Sequence, residues 1–204
     1  GGTQEIDKPN PENIVREDDY TLLIQVDSDK SKEEESLEDI MMQVFAELTQ
    51  KKLVKNAIST PETMVARENI STALRGQGTI LAFDVGVKDK NKLQDLITDI
   101  ERIVPEILDK EAPGTIAESV GYGHAGTGLV HANFLFKNRD LTTKIKEAIQ
   151  SAVYECVVTK YQGPISAEHG TGPDNAKFYA KYMPEESQQR FLDKKNEVDP
   201  NHIF

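Results

Sequence analysis

The sequence is poor in the residues that cross-link a fold or carry it through a membrane. It has one cysteine, Cys156, and no tryptophan among 204 residues. A single cysteine excludes an internal disulfide and is typical of a reducing compartment, so we expect an intracellular protein. No run approaches the roughly 18 consecutive apolar residues that predict a membrane-spanning helix.

Positive charge is also scarce. The 24 Lys and Arg residues are outnumbered by 35 Asp and Glu, which gives a formal net charge of −11 at pH 7. Nucleic acids and anionic membrane surfaces attract clustered basic side chains, so we expect neither as a partner. Because no long apolar run is present, we also expect no membrane span. Hydrophobic residues make up 37% of the chain, which is enough to build a core.

Hydrophobic periodicity predicts an α+β protein. Strands are predicted at 20–26, 53–58, 79–87, about 115–122 and 129–136. Helices are predicted after Ser31 and Thr60, around an apolar stripe from Leu93 to Ile107, over about 139–159, and near the C-terminus. The strands are short and half polar and include a hairpin. These features favour an antiparallel sheet with helices packed mainly on one face and with ferredoxin-like connectivity.

Two further predictions concern the chain as a whole. Residues 1–19 are polar and contain Pro9 and Pro11, so we predict a flexible tail or linker before one domain at 20–204. Cys156 falls on the apolar face of the predicted helix at 139–159, which indicates a core residue rather than a nucleophile.

Two histidines flank a glycine-rich turn in the segment GYGHAGTGLVHANF. If Thr127 and Gly128 form a two-residue hairpin turn, His124 lies directly opposite His131, and their imidazoles share one face of the sheet. Asn133, two residues further on, shares that face. Two convergent neutral imidazoles are half of a transition-metal site, and a histidine pair without a ligand is the alternative.

A second glycine-rich segment, SAEHGTG, carries Glu168 and His169. Two histidines and one glutamate form a common open zinc site, whose fourth position is free for water or substrate. In a regular strand, these two neighbouring side chains would point to opposite faces. For both to serve one site, the chain must leave strand geometry here, which the adjacent glycines permit.

These segments resemble the C-terminal domain of the FAD-linked oxidoreductases, a family that includes D-lactate and D-2-hydroxyglutarate dehydrogenases and the glycolate oxidase flavoprotein subunit. The family's pattern is GHxGDGNLHxN, then EHGxG, then DPxxILNP. This sequence has GHAGTGLVHAN, EHGTG and DPNHIF in the same order, and the resemblance covers about residues 53–204. Upstream, ARENISTALRGQGTILAFDVGV is similar to the family's segment WxxRExI…DVxxP.

The resemblance implies a substrate domain that lies over a flavin held by a separate FAD-binding domain. It implies that His124, His131 and Glu168 bind Zn²⁺ or a similar divalent metal, and that Asn133 contacts the substrate or supports the metal. It also implies that His169 is the catalytic base, which takes the hydroxyl proton of a 2-hydroxy acid while the C2 hydride passes to the flavin.

The resemblance also implies that two further residues bind the substrate. Arg67 matches the arginine that grips the substrate carboxylate, and Ser71 matches a hydroxyl donor one helical turn later. Their spacing puts both on one helix face, and a guanidinium holds a carboxylate through two hydrogen bonds.

Several positions depart from the family pattern, and three of them bear on the site. Thr127 and Leu129 replace the Asp and Asn of GDGN, from which we expect weaker metal binding. Ala82 stands where D-2-hydroxyglutarate dehydrogenases have a lysine, which implies a smaller or different acid.

Two classes of function therefore follow. The first is the substrate- and metal-binding domain of an FAD-dependent D-2-hydroxyacid dehydrogenase, mitochondrial in a eukaryote and otherwise cytoplasmic. The 204 residues contain no Gly-rich strand-to-helix turn for a dinucleotide, so we expect the FAD-binding domain outside this chain and no activity from the chain alone. The second is a non-catalytic relative that acts as a protein-interaction module, as in an actin-interacting protein.

Overall fold

The computed structural model describes residues 22–24, 35–55, 62–138, 140–170 and 172–203. The helices in these ranges are α1 (Glu35–Gln50), α2 (Glu62–Arg75), α3 (Leu93–Glu111), α4 (Thr143–Tyr161), α5 (Gly172–Tyr182) and α6 (Glu185–Val198). The strands are β1 (Thr79–Gly86), β2 (Ala117–His124) and β3 (Leu129–Phe136). Of the helices in the described ranges, none has the length and apolar character needed to cross a membrane.

The first two predicted strands do not form where the structure describes them. Residues 22–24 have no regular structure, and 53–55 follow the turn after α1. The remainder of both predictions, like the predicted tail at 1–19, lies outside the described residues. Short apolar runs do not by themselves separate strand from loop, because too few residues establish a period.

The backbone contacts separate the chain between Asn69 and Ile70, so the two parts are described individually. In the first part, α1 carries apolar side chains at helical spacing, as predicted, but Ile40 and Met42 are exposed. In the second part, a three-stranded antiparallel sheet has the strand order β1-β3-β2. The element order β1-α3-β2-β3-α4 with this strand order is ferredoxin-like, and the α+β prediction is confirmed.

Alternation along the strands builds one apolar face, which α3 and α4 cover. The core residues of β1 and β3 are Leu81, Phe83, Val85, Val130, Ala132, Phe134 and Phe136. Phe83 meets the ring of Tyr154 on α4 edge-on, with ring centroids 5.7 Å apart. Each fully buried side chain of this size stabilises the fold by roughly 1.5–3 kcal/mol. Cys156 packs against this core, and burial raises the pKa of its thiol, so its prediction as a core residue is confirmed.

The opposite face of the same sheet carries the polar side chains. The register places Asp84 of β1 across from His131 of β3, and Tyr122 of β2 across from the same histidine. Because side chains two residues apart share a face, Asn133 and His124 lie on this face as well. The fold thus separates a packed apolar face from a face that presents the candidate functional residues.

Candidate functional site

The two histidines of the hairpin share a face, but they are not directly opposed. The predicted pairing of His124 with His131 is wrong, because Tyr122 occupies the position opposite His131. The connection is longer than two residues: Ala125–Thr127 form a 3₁₀ turn, and Gly128 follows with φ 76°, in the left-handed region that favours glycine. The register shifts by two, an even number, so both imidazoles stay on one face, with ring centroids 5.8 Å apart.

The segment that carries Glu168 and His169 runs along the free edge of β1. The N–H of Gly86 donates to the carbonyl of Pro164 over 3.2 Å. Gly163 permits this close crossing, since a Cβ there would lie 1.8 Å from the carbonyl oxygen of Gly86. Residues 163–170 form neither helix nor strand. The chain thus leaves strand geometry at Glu168 and His169, as it must if these two neighbours are to serve one site.

One carboxylate oxygen organises this segment. Oδ2 of Asp84 accepts hydrogen bonds from the backbone N–H groups of Ala167, Glu168 and His169, over 3.1, 2.8 and 2.8 Å. Three consecutive amides that converge on one oxygen bend the chain, and they bring two neighbouring side chains over the same sheet face. The ring of His169 consequently stacks on that of His131, with centroids 4.9 Å apart and planes 21° from parallel.

The three predicted metal ligands converge. Nε2 of His124 lies 3.3 Å from Oε1 of Glu168, and Nε2 of His131 lies 3.5 Å from Oε2 of the same residue. One donor atom from each residue lies within 4.8 Å of the others. Donors at zinc-ligand distances around a tetrahedral ion are separated from one another by about 3.3 Å. The separations and the chemistry of this donor set therefore fit a zinc ion.

His131 is in the protonation state that a metal ligand needs. Its side chain is 8% exposed. Burial lowers the pKa of His131, the nearby imidazoles of His169 and His124 lower it further, and the carboxylates of Asp84 and Glu168 oppose the shift without reversing it. The imidazole is accordingly neutral at pH 7, with a nitrogen lone pair available for a metal.

A cavity of about 510 Å³ opens on this face of the sheet. Its lining comprises Ser71, Leu74, Arg75, Gly78, Ile80, Ala82, Phe83, Asp84, Tyr122, His131, Asn133, Ile165, Ser166, His169, Gly170 and Asn175. The hydroxyls of Ser71 and Tyr122 are hydrogen-bonded over 2.8 Å. The side-chain amide of Asn133 donates to the carbonyls of Val120 and His131 over 3.2 and 3.0 Å, which ties the two strands together beneath the cavity.

The structure thus brings most of the predicted site residues into one place. Ser71, Asn133, His131 and His169 line the cavity, and the metal-ligand candidates converge beside it. Arg67 belongs to α2, but its side chain lies outside the described part of the structure.

Three residues that line the cavity were not predicted from the sequence. Asp84 is the aspartate of the DV pair in the family segment, and that match was the available signal. Tyr122 alternates with His124 along β2, which assigns it to the same face. Arg75 follows Ser71 by four residues on α2, so the helical period was its signal.

The side chain of Thr127 contributes a hydrogen bond to the hairpin turn. Its hydroxyl donates to the carbonyl of His124 over 2.9 Å, within the turn that positions this histidine. A short polar side chain at this position therefore still supports the hairpin.

The fold and the site define a class of protein: an α+β domain with a cavity on the open face of an antiparallel sheet, beside which two histidines and a glutamate converge. The family described as FAD linked oxidases, C-terminal domain, matches residues 3–204. The chain belongs to this family.

Its curated relatives are named as enzymes of 2-hydroxy acids. A D-2-hydroxyglutarate–pyruvate transhydrogenase of Saccharomyces cerevisiae is 33% identical over 68% of this chain and 27% of the relative. A mitochondrial D-2-hydroxyglutarate dehydrogenase of Danio rerio is 26% identical over 91% of this chain and 33% of the relative. A Schizosaccharomyces pombe protein provisionally named a mitochondrial D-lactate dehydrogenase is 26% identical over 98% of this chain and 39% of the relative. The chain spans well under half the length of these relatives.

Proposed function

We propose that the chain is the substrate- and metal-binding domain of an FAD-dependent D-2-hydroxyacid dehydrogenase. In this reaction a 2-hydroxy acid loses the proton of its hydroxyl and the hydride of its C2 atom, and it becomes a 2-oxo acid. The observation that carries the proposal is the convergence of His124, His131 and Glu168 next to His169 and a cavity. The names of the relatives support the same class of substrate.

The two groups that the family implies have separate tasks. His124, His131 and Glu168 would hold Zn²⁺ or a similar ion, which would supply polarisation of the substrate hydroxyl and a lower hydroxyl pKa. A separate domain would hold most of the FAD, which would supply the hydride acceptor. The remaining work of binding, orientation and proton removal belongs to the side chains of this chain.

His169 is the proposed base. Its side chain is 66% exposed, so it reaches the solvent-facing side of the cavity. Its ring stacks on that of His131, which places it next to the proposed metal ligands. An imidazole accepts protons near neutral pH, so His169 is suited to take the hydroxyl proton as the carbonyl forms.

Arg75 and Ser71 are proposed to orient the acid. Among the described lining residues, Arg75 alone has a permanently positive side chain, and it can hold the carboxylate. The hydroxyl pair of Ser71 and Tyr122 adds hydrogen-bonding groups beside it. Arg67, predicted as the clamp from the family pattern, precedes Ser71 by one helical turn. Ala82 adds an uncharged wall to the cavity, which favours a small acid such as D-lactate.

The remaining proposals concern partners and location. The FAD-binding domain of the same protein is the proposed partner. The names of the zebrafish and fission-yeast relatives contain the word mitochondrial, which supports a mitochondrial location in a eukaryote.

Metal binding by the chain tests this proposal directly. Zn²⁺ is titrated by calorimetry into the wild type, into His131→Ala, and into His202→Ala, which removes an exposed histidine outside the cluster. We expect one ion per wild-type chain and an unchanged affinity for His202→Ala. For His131→Ala we expect an affinity lower by at least the roughly 10–100-fold that is typical when only a residue supporting a ligand is lost. Equal binding by the wild type and His131→Ala, or no wild-type binding at millimolar Zn²⁺, would refute the metal site and favour the interaction-module alternative.

A further inference from the structure

The carboxylate of Asp84 contacts three parts of the site at once. Oδ2 accepts three backbone amides of the 163–170 segment. Oδ1 lies 3.3 Å from Nδ1 of His131, and Oδ2 lies 3.5 Å from Nδ1 of His169. We propose that Asp84 is a positioning residue, which fixes the Glu168–His169 segment over the sheet and selects the tautomer of both imidazoles. The inference rests on the proposed function where it treats His131 as a metal ligand.

The carboxylate of Asp84 holds the backbone of the 163–170 segment. The Asp84 side chain is 13% exposed, and its Oδ2 is the common acceptor of three amides that lie 83 to 85 residues away in sequence. Hydrogen bonds to an ionised acceptor are shorter and stronger than those between neutral groups. The carboxylate therefore holds the backbone that presents Glu168 and His169.

The contact to His131 concerns its tautomer. Nδ1 of His131 and Oδ1 of Asp84 are both buried, and neither has a hydrogen-bond partner within the described part of the structure. They lie 3.3 Å apart, so a small rotation of the imidazole makes each the partner of the other. With hydrogen on Nδ1, the lone pair is on Nε2, the atom that faces Glu168. Metal-bound histidines commonly donate their second N–H to a carboxylate in this way.

Asp84 is itself close enough to be considered a ligand. Its carboxylate and one nitrogen each of His131 and His169 lie within 4.8 Å of one another. However, its Oδ2 is already engaged by three amides, and both of its imidazole contacts are to Nδ1 atoms. Asp84 is therefore placed to orient the histidine ligands rather than to bind the metal itself. The carboxylate oxygen 3.5 Å from Nδ1 of His169 favours hydrogen on that nitrogen electrostatically, which leaves Nε2 to accept a proton.

The test uses Asp84→Asn, which keeps the shape of the side chain but removes its charge and replaces one acceptor with a donor. The matched control is Asp99→Asn, because the Asp99 side chain is also 13% exposed but lies outside both ligand clusters. Calorimetric titration of Zn²⁺ into the 204-residue chain is expected to give an affinity about 10–100-fold lower for Asp84→Asn and unchanged for Asp99→Asn. Circular dichroism reports whether each variant is folded.

The second measurement needs no metal. Nitrogen-15 shifts of the histidine rings at pH 8, in metal-free protein, report which ring nitrogen carries hydrogen. We expect His131 and His169 of the wild type to carry it on Nδ1, and Asp84→Asn to lose this preference while Asp99→Asn keeps it.

The outcomes separate the inference from the proposed function. An Nε2–H tautomer of His131 in the wild type overturns the role of Asp84, and so does a folded Asp84→Asn variant with wild-type zinc affinity. If the wild type binds no zinc, the proposed metal site fails, and the tautomers alone decide on Asp84. If Asp84→Asn does not fold, the wild-type tautomers still support or overturn the inference.

Discussion

Two aspartates whose side chains are equally exposed have different roles, because their neighbours differ. Asp99 and Asp84 are each 13% exposed. Asp99 receives hydrogen bonds from Lys160, Tyr161 and Arg102, which are side chains that stabilise its charge. Asp84 faces backbone amides and imidazoles instead. The first residue therefore contributes to the stability of the packed helices, whereas the second organises a site.

The pKa of Asp99 leads to a prediction about acid stability. Burial acts to raise this pKa, but hydrogen bonds from Lys160, Tyr161 and Arg102 outweigh it and lower the pKa from 3.8 to about 2. A carboxyl whose pKa is lower in the folded state stabilises the protein above pH 4, and this stability is lost as the pH falls towards 2. The contribution is at most on the order of 2 kcal/mol, because salt and solvent screen the exposed Lys160 and Arg102.

Urea unfolding at pH 6, 4 and 2.5 checks this prediction with the wild type and Asp99→Asn. The wild type is expected to have the larger free energy of unfolding at pH 6, and the difference is expected to shrink at pH 2.5. A difference that stays constant over this range would mean that Asp99 has an ordinary pKa in the folded protein.

At the scale of elements, long periodic segments were predictable and short ones were not. The predicted strand at 129–136 coincides with β3, and the periodic helices correspond to α3 and α4 within a few residues. The predicted strand at 53–58 is too short to establish a period, and its described part is not a strand. The hairpin register was missed by two residues because both connections leave the histidines on one face, so the hydrophobic pattern does not distinguish them.

The crossing of Gly163 over β1 gives a prediction at this scale. In Gly163→Ala the new Cβ would lie 1.8 Å from the carbonyl oxygen of Gly86, so the 163–170 segment must shift. We expect the free energy of unfolding to fall by roughly 1–3 kcal/mol or more, as in overpacked cores. Zinc affinity is expected to fall as well, because Glu168 lies on the displaced segment.

Gly121→Ala provides the matched control for this substitution. A Cβ at Gly121 has no atom within 4 Å, so the unfolding midpoint in urea and the zinc affinity are expected to stay near those of the wild type. If Gly163→Ala matches Gly121→Ala in both measurements, the close crossing does not hold the segment in place.

At the scale of the whole molecule, the sequence predicts which residues belong to the site better than it predicts how they are arranged. His124, His131, Glu168 and His169 stand out because they occur in glycine-rich segments that match a family pattern. The role of Asp84 could not be predicted, since it depends on strand pairing and on contacts with residues more than 80 positions away in sequence. Distant residues meet only through tertiary packing, which local periodicity does not encode.

If metal, cavity and Arg75 act together, a substrate should stabilise the whole fold. A ligand that binds only the folded state raises its stability by about 2.7 kcal/mol at 100 times its dissociation constant. In a domain of this size, that corresponds to a rise in Tm of about 5–10 °C. We expect D-lactate to raise the Tm of the zinc-loaded chain, because its hydroxyl meets the metal while its carboxylate meets Arg75. L-lactate can make the same two contacts only with its C2 hydrogen and methyl group exchanged, so a smaller shift is expected only if the cavity wall provides a third contact, to the methyl group of D-lactate.

Thermal unfolding with each enantiomer, with and without Zn²⁺, makes the comparison. Arg75→Ala is expected to abolish the shift caused by D-lactate. Arg190→Ala, which removes an arginine of α6 outside the cavity lining, is expected to leave the shift intact. D-2-hydroxyglutarate is tested in parallel, and a larger shift than that of D-lactate would assign Arg75 to a second carboxylate. A shift that survives both zinc removal and Arg75→Ala would contradict the proposed arrangement of metal and arginine around one acid, whereas equal shifts for both lactates would mean that no third contact in this chain selects the enantiomer.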